Sequence, residues 1–381
     1  MAGPLDGVRI LEFSGLGPAP FAAMLLAELG ADVVKVDRKQ APGNAGGGRN
    51  PGGRNFGLDR SKRSIALDLR DEADLETARR LAARAEILIE GFRPGVMERM
   101  GLGPDVLLTI NPGLVYGRMT GWGQDGPLAR TAGHDLNYAG LTGALWGTGR
   151  KDDPPAPPLN LVADFGGGSL YLVMGVLAAL THARRTGEGQ VVDAAMIDGA
   201  ASLVGLIYSL RAVGLWQDKR QANLLDGGVP WYDTYACADG GYVAVAALEP
   251  EFWEAFIERS GLDPGLLRRR EDREAWPAVR HELKAFFGTL TRDEACARFE
   301  GSDACVSPVL SWAEAPTHPH NLARQTFDVR SGHALAGPAP RFSLTPARIV
   351  GDPPAVDADR QAVLRDWDAG PPATSPPESA A

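Results

Sequence analysis

The sequence predicts an α/β fold: a Rossmann-like parallel-sheet large domain with a smaller α+β domain. Three observations lead there. The chain opens strand–turn–helix–strand, and strands then alternate with helices over roughly 120 residues. Near Gln217 the composition changes, and a polar, Gly-rich stretch runs into a β-hairpin pattern. A chain of 381 residues has room for two such domains.

Taken in order, residues 8–13 form a short β-rich run, followed by SGLGPAP and an apolar helix over 21–29 that Gly30 closes. A second buried-strand pattern over 32–36 ends at Asp37 and Arg38. This is nearly a dinucleotide fingerprint, with Gly15 and Gly17 correctly spaced and Asp37 where a ribose-binding acid would stand. The third glycine position is Pro20, which removes an N–H and fixes φ where close helix packing is needed, so a nicotinamide site is not expected. A polar Gly/Asn/Arg loop over 43–57 leads to DRSKRSIALDLR, which carries Arg60, Lys62 and Arg63 into a strand over 64–69. A helix over 72–85, a strand over 87–89, a short helix through Met100 and a strand near 114–119 continue the alternation.

After Asp164 a helix runs to about Arg185 and ends at Gly187, then a strand over 189–196 and a long apolar helix over 197–215. The hairpin strands 231–237 and 242–248 turn at Asp239-Gly240-Gly241, and Glu249-Pro250 opens a helix. Residues 338–348 read as extended and the segment to Trp367 as partly helical. The expected division is a large domain over 1–200, a linker helix and loop over 201–229, a small domain over 230–325, a return segment over 326–368 and a disordered tail over 369–381.

Composition removes several function classes. A hydrophobic share of 44% and a charged share of 23% are those of an ordinary globular protein. A net charge of −9 argues against a duplex nucleic-acid binder, which needs a basic face, yet leaves room for a local basic pocket. MAGPLDGVRILEF lacks the pattern of a secretory signal, and the apolar run 170–180 is too short to span a bilayer, so membrane insertion is not expected. Cys237, Cys296 and Cys305 lack metal-ligand spacing and fit a reducing cytoplasm, so no metal is expected.

The chemistry concentrates between Met119 and Ser169. His134 stands beside Asp135 in a Gly-flanked segment, and Asp164 precedes Phe165, three glycines and an apolar helical run. A carboxylate at a helix entrance next to close-approach glycines suits a small anionic centre. Read singly, Asp164 is equally a helix N-cap and His134 a loop residue.

Several stretches bring these residues together. GPAPFAAMLLAELGADVVKVDR, DRSKRSIALDL, EGFRPGVMERMGLG, RMTGWGQDGP, GHDLNY, LNLVADFGGGS, GQVVDAAMIDG, YDTYACADGGYVAV and ALEPEFW follow one another in order from MAGPL to DWD. In them the chain resembles the class III coenzyme A transferase superfamily, and within it the α-methylacyl-CoA racemases. The resemblance implies removal of the α-proton of a 2-methylacyl thioester and its return to the other face of a planar enolate. One group cannot readily serve both faces, so two bases are needed. By resemblance these are His134, acting on the 2S substrate, and Asp164, acting on the 2R substrate, with Glu249 orienting His134. Asp135 is expected to face elsewhere as a cap. The helix N–H groups at Asp164 are expected to face the thioester oxygen, and the glycines to let it approach.

Coenzyme A is here part of the substrate, and no separate cofactor is implied. Its phosphates call for cations, and Arg38, Arg60, Lys62 and Arg93 lie in the matching motifs. Asn160 and Tyr232 are expected to line the acyl or pantetheine site. The superfamily also implies an interlocked homodimer. The alternative activity is transfer of CoA between carboxylic acids, with Asp164 as the nucleophile. His134 together with Glu249 favours the racemase, because a transferase needs no second base.

Overall fold

The structure is a computed structural model and describes residues 3–13, 15–39, 57–330 and 332–369. Most of the 43–57 loop and all but Ala369 of the predicted tail lie outside the described residues. The chain divides into two compact units, Met1–Thr142 with Leu159–Val204 and Asp328–Ala381, and Gly143–Pro158 with Gly205–Phe327. The expected large domain over 1–200 therefore differs in one place, since Gly143–Pro158 groups with the second unit.

In the first unit the order is β1 (Arg9–Phe13), α1 (Pro18–Glu28), β2 (Asp32–Arg38), β3 (Arg63–Leu67), α2 (Glu72–Arg84) and β4 (Ile87–Glu90). There follow α3 (Val96–Arg99), α4 (Pro104–Ile110), β5 (Val115–Thr120) and α5 (Asp135–Leu141). A π-helical turn over Leu161–Ser169 then runs into α6 (Leu170–Thr186), β6 (Gln190–Ala195) and α7 (Met196–Leu203). The six strands form one sheet in the order β3-β2-β1-β4-β5-β6, and every neighbouring pair is parallel. Strands covered on both faces read as continuous apolar runs, as ILIE of β4 and the core of DVVKVDR do.

Local chemistry starts and stops these elements. Pro18 opens α1, where a missing N–H costs nothing. The Asp71 carboxylate accepts the N–H groups of Ala73 and Asp74 to cap α2. The return segment holds the sheet edge: Asp359 accepts the Ser64 N–H at 2.9 Å, and the buried Trp367 donates its Nε1–H to Asp32 at 2.7 Å.

The predicted helix over 197–215 is two helices. α7 ends at Leu203 in the first unit, and α8 (Gly205–Ala212) begins the second. The helix expected after Asp164 also starts earlier, so Leu161–Thr186 is one helix of 26 residues with a mean hydropathy of 1.6 in its most apolar window. That meets the length and composition of a membrane span, which the 170–180 run does not. Its contacts with β5 and β6 are those of the crossover helix between two parallel strands.

The second unit has a three-stranded antiparallel sheet of β7 (Tyr232–Ala236), β8 (Tyr242–Ala246) and β9 (Val306–Val309). The hairpin is as predicted, and β9 is an addition to it. An aromatic core of Trp231, Tyr235, Trp253, Phe256, Phe287 and Phe299 fills this unit.

Candidate active site

In an open parallel sheet with this strand order, the chain leaves β1 and β4 in opposite directions and a crevice opens beyond their carboxyl ends. A cavity of about 290 Å³ lies there. Leu16 and Ala19 line it from the turn after β1, Gly91 to Pro94 from the turn after β4, and Met119 to Trp122 from the end of β5. His134 and Tyr138 close another side.

His134 is exposed and stands as N-cap of α5 with extended backbone (φ −136°, ψ 173°), and its N–H donates to Asn137 Oδ1 at 3.1 Å. Tyr138, one turn into the helix, packs edge-on against Trp122 with ring centroids 4.6 Å apart. This packing explains two glycines. A Cβ on Gly121 would stand 2.1 Å from the Tyr138 ring, and one on Gly133 would stand 2.7 Å away. The Tyr138 hydroxyl is pushed up to about 12, by burial first and then by the negative charge of Asp164.

Asp164 is half-buried within the π-helical turn rather than at its entrance, which Asn160 caps. Its Oδ2 faces Gly17, where a Cβ would lie 3.7 Å away and φ is +69°. Only glycine holds that backbone conformation without strain. Burial raises the Asp164 carboxyl from 3.8 to about 6, and the charge of Asp135 adds to the rise. A hydrogen bond from Asn160 and the nearby His134 pull the other way. A carboxyl near 6 is close to the acid–base optimum for work near neutrality.

Three expectations change here. Asp135 does not face elsewhere: it is buried, and its Oδ2 accepts the N–H groups of both Ala163 and Asp164 at 2.7 Å. Those two donors are therefore spent, and a thioester oxygen must find its donors elsewhere. The glycines after Asp164 also serve another purpose. A Cβ on Gly167 would stand 2.5 Å from Ala200 N, and one on Gly199 would stand 1.8 Å from Gly167 O, so they let the π-helical turn and α7 pack backbone against backbone. The third change concerns the cations.

Arg60 and Lys62 are buried. Arg60 pairs with Glu28 and donates to Ala336 O at 3.0 Å. Lys62 Nζ lies 2.7 Å from Glu12 and 3.5 Å from Asp59 and donates to Pro20 O at 3.0 Å. A phosphate would have to displace a buried carboxylate from either, so they read as structural rather than phosphate-binding. Arg38 is exposed at the carboxyl end of β2, and exposed Arg93 lines the cavity, so these two keep the phosphate expectation.

The remaining predicted residues lie in the second unit. Exposed Glu249 is the N-cap of α9 (Pro250–Ser260). Half-buried Tyr232 lines a separate cavity of about 450 Å³. Sequence reasoning missed Tyr138 and Trp122, and it read Gly17 only as a fingerprint glycine. GHDLNY and RMTGWG held the two aromatic residues, but nothing in the spacing marked their rings as packed against each other. Among the described residues no cluster of His, Cys, Asp and Glu could hold a metal ion.

Residues 5–360 match the family described as CoA-transferase family III. The chain is 43% identical to the α-methylacyl-CoA racemase of Mus musculus, over 95% of this chain and 93% of that one. It is also 43% identical to the α-methylacyl-CoA racemase of Homo sapiens, over 90% of this chain and 87% of that one. Its fold is similar to the crystal structure of a CAIB/BAIF family protein from Brucella suis, with a TM-score of 0.81, 27% identity, and coverage of 97% of this chain and all of that one. Fold, cavity and motifs agree with these matches, and the chain belongs to CoA-transferase family III.

Proposed function

We propose that this protein is a racemase of 2-methylacyl-CoA thioesters, working by two-base α-proton transfer through an enolate. One observation carries the reading: a histidine and a half-buried carboxyl raised to about 6 stand within electrostatic reach of each other at the switch point of the sheet. The 43% identity to two racemases supports it.

At pH 7 a carboxyl near 6 is about nine-tenths ionised, so Asp164 can take a proton, and its conjugate acid is strong enough to return one. His134 would be the second base, on the other face of the substrate. The orienting carboxylate for His134 is assigned to Glu249 from the sequence resemblance alone. Proton transfer of this kind requires neither a redox cofactor nor a metal. Arg38 and Arg93 would hold the CoA phosphates, and Asn160, which already bonds Asp164, and Tyr232 would line the acyl or pantetheine site.

The reading extends to a homodimer acting in fatty acid metabolism in the cytoplasm. The exposed apolar residues Leu161, Leu170 and Met174 along the long helix are a face that a second copy would cover. The free Cys237, Cys296 and Cys305 suit a reducing compartment.

The test uses a single enantiomer of a 2-methylacyl-CoA in deuterated water, with and without an acceptor acid. Deuterium uptake with inversion supports the racemase, and CoA appearing on the acceptor supports the transferase. Asp164→Ala and His134→Ala should each lose about a hundredfold or more of exchange from one enantiomer, within the usual range for a lost general acid–base group. Wild-type exchange from both enantiomers in Asp164→Ala would overturn the two-base assignment.

A further inference from the structure

Asp135 is the group in this site whose charge has no structural explanation. It is 5% exposed, its Oδ2 takes two backbone N–H groups at 2.7 Å, and its Oδ1 is buried without a hydrogen-bond partner among the described residues. No cation forms an ion pair with it among the described residues, whereas the buried Glu12 and Glu28 each have one. Burying a carboxylate without a counter-ion is costly, and a neutral amide oxygen would accept the same N–H groups. A cap needs the acceptor and not the charge.

We propose that Asp135 is a positioning residue for the two-base site, clamping Asp164 by its backbone while its charge bears on the Asp164 carboxylate. This rests on the reading of His134 and Asp164 as the two bases. The extended backbone of His134 turns the next side chain inward, so one carboxylate ties the segment carrying the first base to the segment carrying the second. Its charge stands next to a carboxyl that must hold a proton for part of the cycle, and a like charge nearby favours that state.

The groups acting on Asp164 are Asp135 and His134, with Asn160 from its own turn, and Asp164 acts in turn on Tyr138. The elements packed on the turn carry other ionisable groups. Glu28 of α1 pairs with Arg60, and Arg118 of β5 pairs with Glu90 and Glu98. Asp193 of β6 accepts the Gln124 N–H, and Asp198 of α7 bears on Asp193. In α6, the Tyr171 hydroxyl donates to Ser202 Oγ, while His182, Arg184, which pairs with Glu86, and Arg185 stand near the end of the helix remote from Asp164.

The test measures deuterium wash-in from each enantiomer against pH for the full-length wild type, Asp135→Asn and Asp135→Ala, with circular dichroism to check folding. Asp135→Asn keeps an acceptor oxygen and removes the charge. Its acid limb, for the enantiomer that Asp164 deprotonates, should move down by about one pH unit with the plateau within a few-fold of wild type. Asp135→Ala also loses the clamp and should lose about tenfold or more of kcat for both enantiomers, with KM little changed. Should Asp135→Asn not fold, Asp135→Ser reads the same limb. An acid limb at the wild-type pH in the charge-free variant, with kcat kept in Asp135→Ala, overturns the proposal. Asp164→Ala in the same assay separates the two failures, because full exchange there sinks the two-base reading itself.

Discussion

Arg60 and Lys62 invite the same reading as Arg38 and Arg93: cations in a motif, near a site that must hold phosphates. The structure divides them. Lys62 lies among Glu12, Asp59 and the Pro20 carbonyl, all buried, and the buried Arg60 lies between buried Glu28 and the carbonyl of Ala336. Arg38 and Arg93 stand exposed beyond the carboxyl ends of β2 and β4, where an open parallel sheet receives its ligand. A cation already surrounded by carboxylates has its charge balanced inside the fold, and only one left at the rim has a field to offer a ligand. Residue type and motif do not separate these cases, but the position of the partner carboxylates does.

The largest effect that would break this comparison is on folding. Lys62→Met leaves Glu12 buried without its cation, and breaking a buried pair from one side costs about 3–5 kcal/mol. The denaturant midpoint should fall accordingly, and the fraction that folds should keep its affinity for CoA thioester. A variant of unchanged stability that no longer binds CoA would return Lys62 to the binding site.

Arg38→Ala and Arg93→Ala should do the reverse. Each removes a charge-assisted contact of about 1.5–3 kcal/mol, which is tenfold or more in the dissociation constant for CoA. Thermal midpoints should stay within about a degree of wild type, because substitutions at exposed positions of this kind are usually near neutral. Calorimetric titration with free CoA at two salt concentrations reads both the loss and a weaker salt dependence. Unchanged affinity in the double variant would show that the phosphates are held elsewhere.

The same logic explains what was legible beforehand. The parallel sheet was readable because its strands are short, largely apolar runs that alternate with helices. His134 and Asp164 stood out because their flanking motifs are distinctive. Asp135 was misread because adjacency gives no direction: the extended backbone at His134 decides that the next side chain points inward. The glycines after Asp164 were misread for a related reason. Their partner is Gly199, on a helix that meets the turn only once β6 has been laid down beside β5. Partners distant in the chain also hid the burial of Arg60 and Lys62.

Asp164 belongs to neither class of charge, and it allows the finest test of the distinction. It is half-buried, and burial first and the charge of Asp135 second raise its proton affinity from 3.8 to about 6. The folded state then holds the proton more tightly than the unfolded chain. That contribution to stability is complete below about pH 4 and is lost as pH rises through about 6. Asp164→Asn has no such proton to lose. Its thermal midpoint should therefore gain on wild type as pH rises from about 4 to 7, by a small amount because the group is partly solvated. A difference that instead shrinks over that range would mean that the surroundings of Asp164 favour its carboxylate, whereas burial raises the carboxyls of Glu12 and Glu28 even beside their cations. A base poised near neutrality would then have to be sought at another residue.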